Sequence, residues 1–303
     1  MKLQKVLLLT AIALISKFAV AQTFEVDGIA YNVTSDVEPY TVEVTSKEPK
    51  YTGDIIIPSQ VLFEDVTYQV TSIGDEAFSF CSSLYNVTMP NSILSIGDFA
   101  FKYCNQIQNL TIVESTNSIG EAFTWGCANL LNISVDENNL NFLSLDGVLF
   151  NIDTTILLTC PGGRAGMYAV PDGVIGIGSY AFFLCKNLTS IILPQSLTHI
   201  GESAFKMCLL LESITIPENV SHIGFKALSR NPNLQSINVA IGNVNYSSEN
   251  GILYNKNKTN LIQCPNGIGG DFIISNTVDS VENYAFAYNF HLLHYMCQEL
   301  LNI

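Results

Sequence analysis

Eight cysteines are the first residues that could do chemistry. Cys81, Cys104 and Cys127 lie 23 residues apart, and Cys185 and Cys208 repeat that interval. Cys160 and Cys264 stand in equivalent places of a second kind of segment, and Cys297 is the last. In an exported chain such a set could form disulfides. Neighbouring strands lie about 5 Å apart, which brings adjacent copies within disulfide reach. Three in a row cannot all pair with neighbours, however, and Asn231 and Asn289 fill the same position in other copies. A position shared by Cys and Asn suits a tight buried turn, so the thiols are expected to be buried and free. No C-x-x-C pair occurs, which disfavours zinc.

His199 and His222 hold equivalent places in adjacent copies, "THIG" and "SHIG". Two stacked imidazoles could ligate a metal, but no third ligand accompanies them, and they read as surface residues. His291 and His294 receive no role. Nucleophilic catalysis needs a Ser or Cys with a base and an orienting group. No G-x-S-x-G occurs, and the carboxylates are not repeated in pairs. No catalytic residue, cofactor or metal is expected.

These residues are positioned by a repeat. The core Ile-Gly-x-x-Ala-Phe recurs at Ile73, Ile96, Ile177 and Ile200, as "IGFKAL" at Ile223 and as "VENYAF" at Val281. A form read as shortened, "IGEAF", starts at Ile119. The spacings are 23, 23, 58, 23, 23 and 58 residues, so a longer period of 104 overlies the short one. A period in the twenties predicts a leucine-rich-repeat-like solenoid. Each unit carries a strand with the pattern L-x-x-I-x-I, as in "SIILP" after Leu188. Leu188, Ile191 and Leu193 are expected inside, Thr189 and Ile192 outside. Gly is expected to permit a tight turn, and Ala-Phe to start a short helical or irregular return.

The long spacings hold a second module. "SLDGVLFNIDTTILLTCPGG" from Ser144 matches "SENGILYNKNKTNLIQCPNG" from Ser248, and the Asp-Gly and Asn-Gly pairs predict β-hairpins. "VDGIAYNVTSD" from Val26 is a diverged third copy. The expected organisation is a signal peptide over 1–21, an N-terminal β cap over 22–70 and a solenoid over 71–303. Hairpin modules fall at about 136–170 and 240–275. Leu292, Tyr295 and Cys297 fall in strand positions, after which no polar capping unit or attachment segment follows. That end is expected to be truncated or covered by a partner.

The signal peptide rests on Lys2 and Lys5, an apolar run from Val6 to Ile15, and Ala19-Val20-Ala21 as a cleavage site. No later apolar stretch is long enough to span a bilayer. Only 13% of residues are charged, and the net charge of −14 becomes −17 once the three lysines of 1–21 are removed. Nucleic acid and anionic lipid are therefore poor partners.

The "SIGxxAFxxCxxLxxIxIP" unit with its "DGVLFNxDxTxLLxCP" hairpin closely resembles the BspA-like leucine-rich repeats of bacterial surface proteins, from roughly Phe24 to Leu292. The resemblance implies a right-handed solenoid, secretion and no enzymatic activity. It also implies adhesion to host matrix proteins, epithelial cells or other bacteria. Two outward columns on the strand face would meet the partner. One is Thr88, Thr111, Ser134, Ile192, Thr215 and Asn238; the other is Tyr85, Gln108, Leu131, Thr189, Glu212 and Gln235. Mostly neutral and hydrogen-bonding, they suit a protein or glycan on a host or bacterial surface. Simple solvation of a β face is the competing reading. The alternative function is a glycan-binding or hydrolase-associated protein using the repeats as carrier. It is disfavoured because the repeats fill nearly the whole exported chain.

Overall fold

The computed structural model describes residues 22–290 and 292–297. The segment 1–21, expected to be a signal peptide, lies outside the described residues. Each 23-residue unit forms one coil of a β-solenoid with two short parallel ladders. The L-x-x-I-x-I segment gives the first: Asn109–Ile112 pairs with Asn132–Val135, and Ser213–Ile216 with Ser236–Val239. The residue pair ending at the repeated Ile gives the second, where Ile73, Ile96 and Ile119 align, as do Ile177, Ile200 and Ile223. Alternation places the apolar residues inside. Ile191, Leu193, Ile112 and Ile216 are buried, while Thr189, Ile192, Thr111 and Thr215 are exposed.

Of the two returns expected, helical or irregular, the irregular one forms; no helix occurs among the described residues. The Ala-Phe stretch is a run of three β-turns instead. In the first coil Ala77 donates to Gly74, Ser79 to Glu76 and Cys81 to Phe78. The intervening amides donate to the next coil, Phe78 to Ala100 and Phe80 to Lys102. Every second amide therefore bonds within the coil and the rest bond between coils, which satisfies the backbone without a helix. The geometry places the third and seventh residues after the Ile in the left-handed region: Glu76 and Phe80, Phe99 and Tyr103, Lys226 and Arg230, Tyr284 and Tyr288.

Two readings of the repeat need correction. The Gly after the repeated Ile does not serve a left-handed turn. At Gly97 a Cβ would lie 2.6 Å from the amide nitrogen of Asp75, and at Gly201 2.5 Å from that of Ser179. Only glycine lets consecutive coils approach that closely. Nor is the unit at Ile119 shortened. Phe101 donates to Phe123 as Phe78 donates to Ala100, so Phe123 occupies the Ala position and Thr124 the Phe position.

The core is a spine of stacked rings. Phe78 lies 5.2 Å from Phe101, and Phe182 lies 5.2 Å from Phe205, each pair stacked. The hairpin modules interrupt the coils. Phe142–Leu145, Val148–Asn151 and Ile156–Thr159 form an antiparallel meander whose last strand joins the parallel ladder. Tyr246–Glu249, Ile252–Asn255 and Asn260–Gln263 repeat it. Thr23–Val26, Ile29–Ser35 and Thr41–Val44 do the same, so the N-terminal cap is a third copy, flanked by Gln60–Phe63. In each, the Asp-Gly or Asn-Gly pair is left-handed at both residues, as a two-residue hairpin requires.

The middle strand of a module is buried on both faces. Leu149 belongs to the core of the preceding coils, while Val148 and Phe150 belong to that of the following coils. Leu253 and its neighbours Ile252 and Tyr254 divide likewise. A buried Asn fastens each module to the coil before it. Asn243 donates to the Pro217 and Val220 carbonyls at 2.9 and 3.0 Å, and its Oδ1 accepts from the amides of Asn245 and Tyr246. Asn139 makes the same four bonds 104 residues earlier.

Candidate functional site

The strand face is less continuous than the repeat predicts. Its strands hydrogen-bond in pairs, and the chain after each hairpin opens a new pair: Thr52–Ile56 with Ser83–Thr88, and Ala165–Ala169 with Asn187–Ile192. Gly270–Ile274 pairs in the same way with Leu292–Cys297, the last strand expected from the sequence. A left-handed Gly53, Gly166 or Gly270 precedes a register shift in each of these pairs. The shifts leave Tyr85 and Thr189 as the unpaired bulge residues, which re-aims both side chains.

Of the first column, Thr111 and Ser134 meet through their hydroxyls at 2.9 Å, and Thr215 pairs with Asn238. Ser134 is only half exposed. Thr88 sits at the end of its strand opposite Ile56. Ile192 and Thr215 line one cleft of about 310 Å³ with Ser190, Gln195 and Pro217, where their two strands splay apart. In the second column Tyr85, Gln108, Leu131, Thr189, Glu212 and Gln235 are all exposed. Sequence reasoning missed Ile56, Met167 and Ile273, three outward apolar side chains supplied by the strands that follow the hairpins. The alternation in "GDIII" and "GMYAV" carries that signal.

A second surface, also missed, lies on the run of turns. In the first coils Glu76 and Phe80 are exposed there, and Phe99, Lys102, Tyr103 and Trp125 are half-buried beside them. Lys102 lies 5.3 to 5.4 Å from the ring centres of Phe80, Phe99 and Trp125 and pairs with Glu76 at 3.2 Å. Trp125 packs against Phe183 and Tyr180 across the first hairpin insertion.

The titratable candidates assemble no reactive centre among the described residues. The rings of His199 and His222 lie 6.0 Å apart, tilted by 38° and exposed, and no group of three or more metal-binding side chains gathers among the described residues. Cys81, Cys104, Cys127, Cys160, Cys185, Cys208 and Cys264 are buried and form no disulfide. Cys104 donates its thiol to the Phe78 carbonyl at 3.0 Å, Cys127 to Phe101 at 2.9 Å and Cys208 to Phe182 at 3.2 Å. Burial pushes the Cys127 thiol up to about 12. The thiol pair with Cys81, together with burial, holds Cys104 far above its ordinary value. Such thiols are poor nucleophiles. No described helix is long and apolar enough to cross a membrane.

The BspA type leucine-rich repeat region, as a family model, matches residues 60–147 and 167–292 in six copies. Among solved structures, the chain is similar to a leucine-rich repeat protein from Eubacterium ventriosum, at 21% identity and a TM-score of 0.56, over 89% of this chain and 82% of that one. A leucine-rich cell surface protein from Faecalibacterium prausnitzii gives 24% identity and a TM-score of 0.51, over 91% and 70% of the two chains. Pneumococcal vaccine antigen PcpA gives 18% and 0.52, over 88% and 89%. At these identities the likeness is one of fold. No functionally curated protein matches the chain. With more than two thirds of its residues matched by that repeat and its coils stacked as a β-solenoid, the chain belongs to the BspA-type leucine-rich repeat family.

Proposed function

We propose that this is a non-enzymatic binding protein, exported by the segment 1–21, that adheres to a protein or glycan on a host or bacterial surface through its strand face. The observation that carries this reading is the cleft between Asn187–Ile192 and Ser213–Ile216, with half-exposed Ile192 at its edge. A partly open cleft whose exposed lining is more polar than apolar, with Ser190, Gln195, Ser213 and Thr215 beside Ile192, is suited to holding a partner's polar side chain or sugar. Exposed Ile56, Tyr85, Leu131, Met167 and Ile273 extend the apolar contact along the same face. Affinity then comes from modest contacts over several coils.

The test is the outward triple variant Thr111→Lys, Ile192→Lys and Thr215→Lys on an array of host-matrix proteins and glycans. Binding seen with the native chain should be lost while the melting temperature holds. Full-strength binding by the variant would remove the strand face from consideration. Lys at Ile112, Leu193 and Ile216, one residue along and buried, should instead unfold the chain.

A further inference from the structure

The second half of the turn surface gathers three cations in one place. Thirteen lysines and arginines stand in the chain, three of them within residues 1–21. Of the remaining ten, Lys47, Lys50, Lys102, Arg164 and Lys258 each pair with a carboxylate. The other five show no ion pair among the described residues; Lys186 and Lys256 stand apart, whereas Lys206, Lys226 and Arg230 line one small cleft together with Ser229, Tyr284 and Tyr288. Aromatic rings hold them in place of carboxylates. Lys226 Nζ lies 3.7 Å from the ring centre of Tyr284 and 4.5 Å from that of Phe225. The Arg230 guanidinium lies 3.9 Å from the ring centre of Tyr288 and donates to its hydroxyl. Lys206 Nζ lies 5.7 Å from the ring centre of Phe183. A ring steadies a cation without neutralising it. Burial, then the charges of Arg230 and Lys226, hold the Lys206 ammonium below its ordinary value, although Tyr288 and then Glu202 oppose this.

The internal repeat supplies the comparison. Lys206 stands 104 residues after Lys102 and in the same position of its coil. Lys102 has Glu76 as partner; the equivalent of Glu76 is Tyr180. The equivalents of Lys226 and Arg230 are Ala122 and Gly126. One copy is thus a neutralised cation among rings. The other has lost the carboxylate and gained two cations, in a chain whose net charge is −14. Left-handed backbone at Lys226 and Arg230 projects both side chains outward.

We propose that this cleft receives the carboxylate or sulfate group of an acidic polysaccharide. Its volume, about 30 Å³, admits the oxygens of one such group and leaves the sugar ring outside. There Phe225, Tyr284 and the largely exposed Phe290 offer apolar ring surface to the sugar. An anionic bilayer or a nucleic acid duplex would bring extended negative charge within a Debye length, about 8 Å, of the acidic body. A thread one sugar wide meets only the cluster. The site is on the turn surface and does not rest on the strand-face reading.

Isothermal titration of the full exported chain tests it with four probes: heparin for sulfate, polygalacturonate for carboxylate, neutral dextran, and phosphatidylglycerol vesicles. The expected result is binding of heparin, polygalacturonate or both, weakening as salt rises, with no binding of dextran. Whichever acidic glycan binds identifies the oxyanion. The variant Lys206→Gln, Lys226→Gln, Arg230→Gln should bind at least about tenfold more weakly, because charge-assisted hydrogen bonds are lost. Lys186→Gln with Lys258→Gln should bind as the native chain does. A melting curve checks that the triple variant is folded, and Lys226→Gln alone should move binding in the same direction. The proposal is overturned if neither acidic glycan binds, if dextran binds as well, or if only the vesicles bind. It is likewise overturned if the folded triple variant stays within about twofold of the native affinity.

Discussion

A buried thiol here behaves as a small apolar side chain with one donor, which explains why Asn can replace it. Cys208 gives its proton to the Phe182 carbonyl, while Asn231, next in the same column, accepts from the Cys208 amide at 2.8 Å and donates to Leu228. Alkylation of denatured protein without reductant should label these cysteines, whereas native protein reacts slowly; disulfides found by mass would contradict the buried-donor role. The titration has a direction. Below about pH 8.5 a thiol is protonated in both states and contributes no pH dependence. Above it the unfolded thiol ionises while Cys127 stays protonated up to about 12. Stability should therefore fall across that window, by up to about 1.4 kcal/mol per pH unit for such a thiol. Melting curves from pH 7 to 11 check this; a flat profile would be inconsistent with it. At the ring spine, Phe101→Ala or Phe205→Ala should cost about 3–5 kcal/mol in denaturant unfolding. The Cys and Phe columns were legible because a residue type recurred at a fixed interval. Asn139 and Asn243 were not, since a lone Asn in a polar loop looks the same whether it is solvated or makes four buried bonds.

Strands and hairpins could be read from the chain because alternation and Asp-Gly pairs are local signals. The run of turns could not. Phe80 and Tyr103 adopt a backbone conformation that such residues rarely take, and their amides are held by the Lys102 and Trp125 carbonyls of the neighbouring coil. The same blindness hid the turn surface, whose residues looked like variable filler around Ala-Phe. Coil contact also explains which glycines matter. Gly201→Ala places a methyl against the backbone of the preceding coil and should cost about 1–3 kcal/mol. Gly74→Ala meets only the flexible end of Glu43 and should cost clearly less. Equal melting temperatures for the two would refute the close-approach account. Asn243→Ala leaves the Pro217 and Val220 carbonyls without that partner and should lower stability by on the order of 3 kcal/mol.

Over the whole molecule, the 104-residue period announced the order of modules but not that a module's middle strand is packed from both sides. Periodicity reports which residues are apolar, and Val148, Leu149 and Phe150 all are; only three dimensions assign them to different cores. Arg164, within that module, donates to the Asp146 carbonyl and lies over the Tyr168 ring. Trypsin should leave it intact in the native chain; two stable halves cut there would show that the coils on either side fold independently. The partition also bears on how such a chain can lengthen during evolution. A single coil placed between Ile96 and Ile119 finds like neighbours above and below and leaves both partitions untouched, so a gene carrying that insertion should still yield folded protein. Deleting 136–170 instead strips one wall from each of two cores and should give insoluble product. Descent by duplication would then proceed in two currencies, single coils spliced freely between partitions and whole blocks copied with a partition attached, which is how 23 and 104 come to coexist in one chain.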